Sequence, residues 1–285
     1  MKLSKDHCTI VIVTFNSAHC IPKIKFLREI PHVVFVDNAS EDGTCEAITA
    51  EIPNAKILLN KTNKGFGAAN NLALSQVRTP YALLLNPDCI TTETEIEKLL
   101  QAAGTHSNAA IIAPHLIRKD ESVEVSYRWP HAKWISRGSQ AEGPCCVGFA
   151  CGAALLLNME VMGDIGFFDE TFFLYYEDED LCQRAFNHKK QIILIPDARV
   201  THFSRGSVKG KNPLKSEFIR GYHHVQSKLI FERKHVGARS AASLRWKTLI
   251  LALLTLLPRL IVPQPKYLAR LIGRIVGLCR AYPFS

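Results

Sequence analysis

The chain has 285 residues, 47% hydrophobic and 21% charged, a balance that excludes a disordered polypeptide and leaves room for one large or two ordinary domains. Its net charge is +9, but residues 233–285 alone hold ten Lys and Arg and no Asp or Glu, which leaves about −1 (9 − 10) for the first 232. The nine cysteines are odd in number and form no C-x-x-C pair, and the start MKLSKDHCTIVIV has no apolar run of signal-peptide length, so a reduced, cytoplasmic setting is expected.

Four apolar runs of strand length occupy the first hundred residues: Thr9–Phe15, Val33–Asn38, Ala55–Asn60 and Tyr81–Asn86. Between them lie helix signals in EDGTCEAITAEI after Ser40 and GFGAANNLALSQV after Lys64. A third helix, TETEIEKLLQAAG, follows with Thr92 as its cap and Glu95 placed to complete a capping box. Continuous apolar strands alternating with helices predict a parallel sheet covered on both faces, which binds ligands at the carboxyl ends of its strands. Polar residues gather at those ends: Thr14 and Asn16 after the first strand, Asp37 and Asn38 after the second, Asn86 and Asp88 after the fourth. Singly these are ordinary turn residues; together they form a converging polar rim suited to a nucleotide.

Residues 111–157 read as shorter strands and loops, with small residues in GFACGAALLLN where backbone or ligand approaches closely. FFLYYEDEDLC, Phe172–Cys182, then runs five apolar or aromatic residues into four consecutive acids. If a helix starts near Glu177, successive side chains point about 100° apart, so only one or two of the acids face a common target. The other acids of that first turn are expected to be solvated and favoured by the helix dipole. KQIILIPDARVTHFSRGS reads as two short strands around a Pro-Asp turn.

The last part is a basic tail with an apolar run, Thr248–Pro263, interrupted at Pro258-Arg259 and too short before that break for a span of about 20 residues. A helix lying on an anionic membrane surface and a helix packed on its own catalytic domain both fit. Nucleic acid is not expected as a partner, because the tail lacks aromatic interleaving and any zinc or helix-turn-helix signature.

The stretches IVIVTFNS, VVFVDNASEDGT, NKGFGAANNLAL, YALLLNPDC, CGAALLL, GFFDETFFLYYEDEDLCQR and IPDARVTHFSRGS, in this order from Thr9 to Ser207, resemble the inverting family 2 glycosyltransferases of GT-A fold, above all their rhamnosyltransferase-like branch. The resemblance implies a GT-A catalytic domain over 1–232, a Rossmann-like α/β fold with a mixed, mostly parallel sheet; the charge and apolar pattern add a basic amphipathic helical tail over 233–285. It implies that Asp37 reads the base of a nucleotide-sugar beside Thr14 and Asn16, with Asn38, Gly65, Asn70 and Asn86 also at the donor and Arg205 at the diphosphate. Asn86-Pro87-Asp88 takes the place of the D-x-D motif, so Asp88, with His202, would hold a divalent cation, Mg²⁺ or Mn²⁺. Asp178 would be the base and Glu177 an acceptor or orienting group.

The expected function is therefore transfer of a sugar, plausibly L-rhamnose from dTDP-rhamnose, to a hydroxyl of a cell-surface or lipid-linked glycan. The enzyme would sit peripherally at the inner face of the cytoplasmic membrane. A UDP-hexose or GDP-mannose donor is the alternative within the class. An inactive sugar-nucleotide-binding protein is the alternative outside it, and intact Asp88 and Asp178 argue against that.

Overall fold

A computed structural model describes residues 3–128, 140–203, 206–207, 212–261 and 264–280. Its contacts divide the chain into two units, Met1–Phe168 with Asp178–Lys209, and Asp169–Glu177 with Gly210–Ser285.

The first unit is built on one sheet. Its predicted strands are β1 (Cys8–Thr14), β2 (Val33–Asp37), β3 (Lys56–Leu59) and β4 (Tyr81–Leu85), interleaved with helices α1 (Thr44–Glu51) and α2 (Phe66–Leu74). A short β5 (Cys89–Ile90) leads into α3 (Glu93–Thr105). Parallel pairing sets Thr14 opposite Asp37, so the polar strand ends share one edge. Thr92 caps α3 through the Glu95 N–H, but the Glu95 carboxylate goes to Lys98 Nζ and the Arg199 N–H. Only half of the capping box is realised, and α3 is tied to a later strand instead.

Two features differ from the sequence reading. The region read as shorter strands and loops contains β6 (Ala109–Ile117), nine fully buried residues in mid-sheet, followed by short strands β7 (Val123–Glu124), β8 (Tyr127–Arg128), β9 (Cys145–Cys146) and β10 (Phe149–Ala150). Strand β11 (Ala154–Asn158) and helix α4 (Met159–Ile165) come next, and the four-acid stretch opens α5 (Glu177–Asn187). The two strands expected around Pro196-Asp197 are one, β12 (Gln191–His202), whose register against β6 shifts between Ile195 and Arg199. A bulge there lets proline, which has no N–H, sit inside a paired strand. The sheet order is β3-β2-β1-β4-β11-β6-β12-β5, with β11 antiparallel to both neighbours.

The second unit comprises residues 169–177 and three helices, α6 (Pro213–His235), α7 (Ala238–Ile261) and α8 (Pro265–Cys279). The expected domain boundary at residue 232 falls inside α6. Helices α6 and α8 cross with backbones in contact: a Cβ on Gly221 would collide with the Arg270 carbonyl, and one on Gly273 with the Phe218 carbonyl. Val225, Leu229 and Leu278 close the core beside that crossing. The expected break at Pro258 does not occur, and α7 runs through it to Ile261. Three residues from a helix end, a missing N–H removes a single backbone bond. The 169–177 segment is bound to α6 by Phe173 stacking on His223 at 4.3 Å, Ser227 Oγ donating to the Leu174 carbonyl at 2.9 Å, and Lys234 pairing with Asp169 at 2.6 Å.

Candidate functional site

At the ends of β1 and β2, Thr14 Oγ1 donates to Asp37 Oδ1 at 3.1 Å, and the Ser40 N–H donates to Asp37 Oδ2 at 2.9 Å. Asn16, in the left-handed region at φ 51°, donates its N–H to Ser40 Oγ and accepts the Glu41 N–H on its side chain. Thr14, Asn16 and Asp37 thus form one network. Asn38 serves another purpose: its amide holds Asn63 and the Gly65 carbonyl while its Oδ1 accepts from Asn60 and the Lys64 N–H. It shapes the loop that leads into α2. Asn70 is buried and donates to the Phe66 carbonyl within that helix.

Beyond β4, the Asn86 N–H bonds the Ala153 carbonyl and so locks the Asn86-Pro87-Asp88 turn against the residues that lead into β11. Asp88 Oδ2 accepts the Gly206 N–H at 2.9 Å, while its buried Oδ1 has no hydrogen-bond partner among the described residues and lies 3.9 Å from His202 Nε2. His202 Nδ1 sits 3.4 Å from Glu124. Ligand atoms of Asp88, Cys89 and His202 lie within 4.8 Å of one another. Burial, with the Asp88 charge next, drives the Cys89 thiol well above its usual pKa, so it stays protonated. What remains is a carboxylate oxygen without a partner facing an imidazole. That donor set fits a hard divalent cation.

Asp178 is the second residue of α5. Its Oδ2 accepts the Gly152 N–H at 2.9 Å and its Oδ1 the Glu179 N–H at 2.9 Å. The contact is tight, since a Cβ on Gly152 would lie 3.1 Å from that of Asp178. Burial raises the Asp178 pKa above the usual carboxylate range, against the lowering effect of the Gly152 and Glu179 N–H bonds and of Arg128. The residues joining the two halves are Cys151–Ala153: Gly152 holds Asp178, and the Ala153 carbonyl accepts from the Asn86 N–H and Cys89 Sγ. The small residues noted in GFACGAALLLN are where that close approach happens.

The remaining acids correct the sequence reading. Asp180 is fully buried and paired with Arg184 at 2.8 Å, and Arg184 also donates to the Ile165, Gly166 and Phe167 carbonyls. Glu179 pairs with Arg128 at 3.1 Å. Neither is a solvated first-turn acid: Asp180 is compensated by Arg184 one turn on in the same helix, and Glu179 by Arg128 from a distant strand. Glu177 is buried at the head of α5 and follows Tyr175 and Tyr176, both at positive φ. Arg205 lies outside the described residues. The sequence reading also missed Ser17 and His19, which bond the Ser207 and Gly206 carbonyls and so fix the segment that contacts Asp88. Ser17 ends the IVIVTFNS stretch and Ser207 the IPDARVTHFSRGS stretch, but nothing in either shows that they pair, because the contact spans 190 residues.

Residues 9–166, more than half of the chain, match glycosyl transferase family 2. The N-acetylglucosaminyl-diphospho-decaprenol L-rhamnosyltransferase of Mycobacterium tuberculosis is 28% identical, over 85% of this chain and 89% of its own. The dTDP-rhamnosyl transferase RfbF of Shigella flexneri is 25% identical, over 79% of each. Among solved structures, a mannosyltransferase from Pyrobaculum calidifontis in complex with GDP-Man and Mn²⁺ superimposes with a TM-score of 0.58 at 15% identity, over 96% of this chain and 87% of that one. S. aureus TarS in complex with UDP superimposes with a TM-score of 0.55 at 18% identity, over 86% and 69%. The chain therefore belongs to glycosyl transferase family 2 and is a glycosyltransferase of GT-A fold.

Proposed function

We propose that the enzyme transfers L-rhamnose from dTDP-rhamnose, with inversion, to a hydroxyl of a lipid-linked glycan. One observation carries the reading: residues 151–153 join a buried carboxylate of raised pKa, Asp178, to an aspartate–histidine pair in which one carboxylate oxygen has no hydrogen bond among the described residues. The rhamnosyltransferase relatives supply the sugar and the kind of acceptor.

In this reading Asp37 accepts the imide N–H of the thymine, held in place by Thr14 and the Ser40 N–H. Asn16 and Asn86 line the same donor edge, and Asn38, Gly65 and Asn70 shape its wall. Asp88 and His202 would hold a divalent cation, Mn²⁺ or Mg²⁺, which would supply neutralisation of the diphosphate charge. Asp178 takes the proton of the attacking hydroxyl, and its raised pKa suits a base that must hold that proton near neutral pH. Glu177 orients the acceptor.

We also place the enzyme on the anionic inner surface of the cytoplasmic membrane. No described helix is long and apolar enough to cross a membrane. Helix α7 instead carries an exposed row of Trp246, Ile250, Leu254, Leu257 and Ile261, spaced to share one face, in a region rich in Lys and Arg and free of acids.

Thermal stabilisation by dTDP-rhamnose, UDP-glucose and GDP-mannose, each with and without Mn²⁺, tests the donor. Mn²⁺-dependent stabilisation by dTDP-rhamnose alone is expected. Stabilisation by another sugar nucleotide in its place would overturn the rhamnose assignment.

A further inference from the structure

Among the described residues of the helical unit, one cluster of cations lacks the acids that would normally accompany it. On α6, Glu217, Gly221, His224 and Lys228 follow one another at helical spacing, and α8 crosses this face at Gly221 through Arg270, with Arg274 one turn further on. Arg270 Nε is 3.7 Å from Glu217, a carboxylate already engaged by Arg220 at 3.0 Å. Arg274 has no ion pair or hydrogen bond among the described residues, and its Nε is shut off from solvent. Lys228 likewise has no acidic partner among the described residues and acts electrostatically on the same imidazole as the two arginines. His224 lies under Tyr175 and Tyr176, at ring distances of 5.5 Å and 5.7 Å, in the segment that ends at Glu177.

Electrostatics show how unbalanced the cluster is. Burial, then Arg274, Arg270 and Lys228, lower the His224 pKa to about 4, so it is neutral. Burial, then Arg270 and Arg259, lower that of Arg274. A fold that desolvates neighbouring guanidinium groups with a single carboxylate, Glu217, already shared between Arg220 and Arg270, is organised for an anion that arrives from outside. Arg and Lys together suit phosphate oxygens, Arg through its planar fork and Lys as a point charge. The same helical unit carries the apolar row on α7, which gives a lipid chain a surface to follow.

We infer that Lys228, Arg270 and Arg274 form a subsite for the phosphate or diphosphate of a polyprenyl-linked acceptor. This rests on the lipid-linked acceptor proposed above. It places the acceptor's anionic group on the helices that hold the segment ending at Glu177.

The test uses the full-length chain in EDTA, so that the cation site takes no part. Binding is measured to phosphatidylcholine vesicles that contain either undecaprenyl diphosphate or phosphatidylglycerol at equal surface charge, and to inorganic diphosphate in solution. Arg274→Gln and Lys228→Gln are compared with wild type, and Arg274→Lys serves as the conservative control, each with its melting temperature and its Mn²⁺-dependent dTDP-rhamnose stabilisation recorded. The expected result is at least tenfold weaker binding to the undecaprenyl diphosphate vesicles for both Gln variants and a smaller loss for Arg274→Lys. Phosphatidylglycerol binding and donor stabilisation should be unchanged. Equal losses on both vesicle types would reduce the cluster to a general headgroup contact and overturn the inference. Unchanged binding by folded variants would also overturn it. Tight, Arg274-dependent diphosphate binding by a protein that no sugar nucleotide stabilises would leave the subsite standing and sink the proposed function instead.

Discussion

Asp178 and Asp180 are two residues apart on one helix, yet their surroundings give them different chemistry. Asp180 has a guanidinium at 2.8 Å; Asp178 has only backbone N–H donors against its burial, with Arg128 as a lesser influence. Replacing Asp178 by Asn should reduce turnover by about 10²–10⁴-fold while donor binding persists, measured as initial rate and donor affinity side by side. Because the folded pKa of Asp178 is raised, its ionised form costs stability above that pKa, and the cost disappears as the pH falls and the group takes up its proton. The same proton silences the base, so activity should drop on the acid side with a midpoint above the ordinary Asp range, and Asp178→Asn should melt no lower than wild type at neutral pH. By contrast, Asp180→Ala should destabilise the fold by about 3–5 kcal/mol in chemical denaturation, because Arg184 is left uncompensated. Asp88→Ala should weaken Mn²⁺-dependent donor binding by at least about tenfold and leave metal-free binding unaltered.

At the scale of elements, the first half of the sheet was legible because each strand is an unbroken apolar run ending in a polar residue, and pairing then sets Thr14 beside Asp37. Strand β6 was harder to see, since Pro114 and His115 interrupt its pattern although both lie in the buried strand. Strand β12 was split in two on paper because Pro196-Asp197 is an ordinary turn signal, and only pairing with β6 on both sides of the bulge makes it one element. The Glu179 pair was illegible because Arg128 is 51 residues away; the Asp180–Arg184 spacing of four could be read as a helical pair, but its burial could not, since the carbonyls of residues 165–167 enclose Arg184. The α6–α8 crossing gave no signal beyond its glycines. Gly221→Ala should force the helices apart and destabilise the protein by about 1–3 kcal/mol in thermal or denaturant melts, with donor affinity unaltered.

At the scale of the whole molecule, charge and apolar exposure are both concentrated toward the C-terminal end of the sequence. The acid-free stretch 233–285 contains the α7 row, in which Leu254 and Leu257 are 68% and 69% exposed. Replacing both by Glu should lower partition onto phosphatidylglycerol vesicles by about 100-fold without lowering the melting temperature, since two Leu side chains burying in acyl chains contribute about 3 kcal/mol or more. High salt should loosen wild-type binding only in part, because it screens the Lys and Arg contribution and leaves the apolar one.

The central claim is that this chain transfers a sugar from a nucleotide with Asp178 as its base. The most direct measurement is NMR of the product formed from dTDP-L-rhamnose and a polyprenyl-diphosphate-linked N-acetylglucosamine, with Mn²⁺, by wild type and by Asp178→Asn. A rhamnosyl product of inverted anomeric configuration is expected from the wild-type enzyme, and at least about a hundredfold less from the variant. A product with retained configuration, or equal turnover by the two proteins, would contradict that claim.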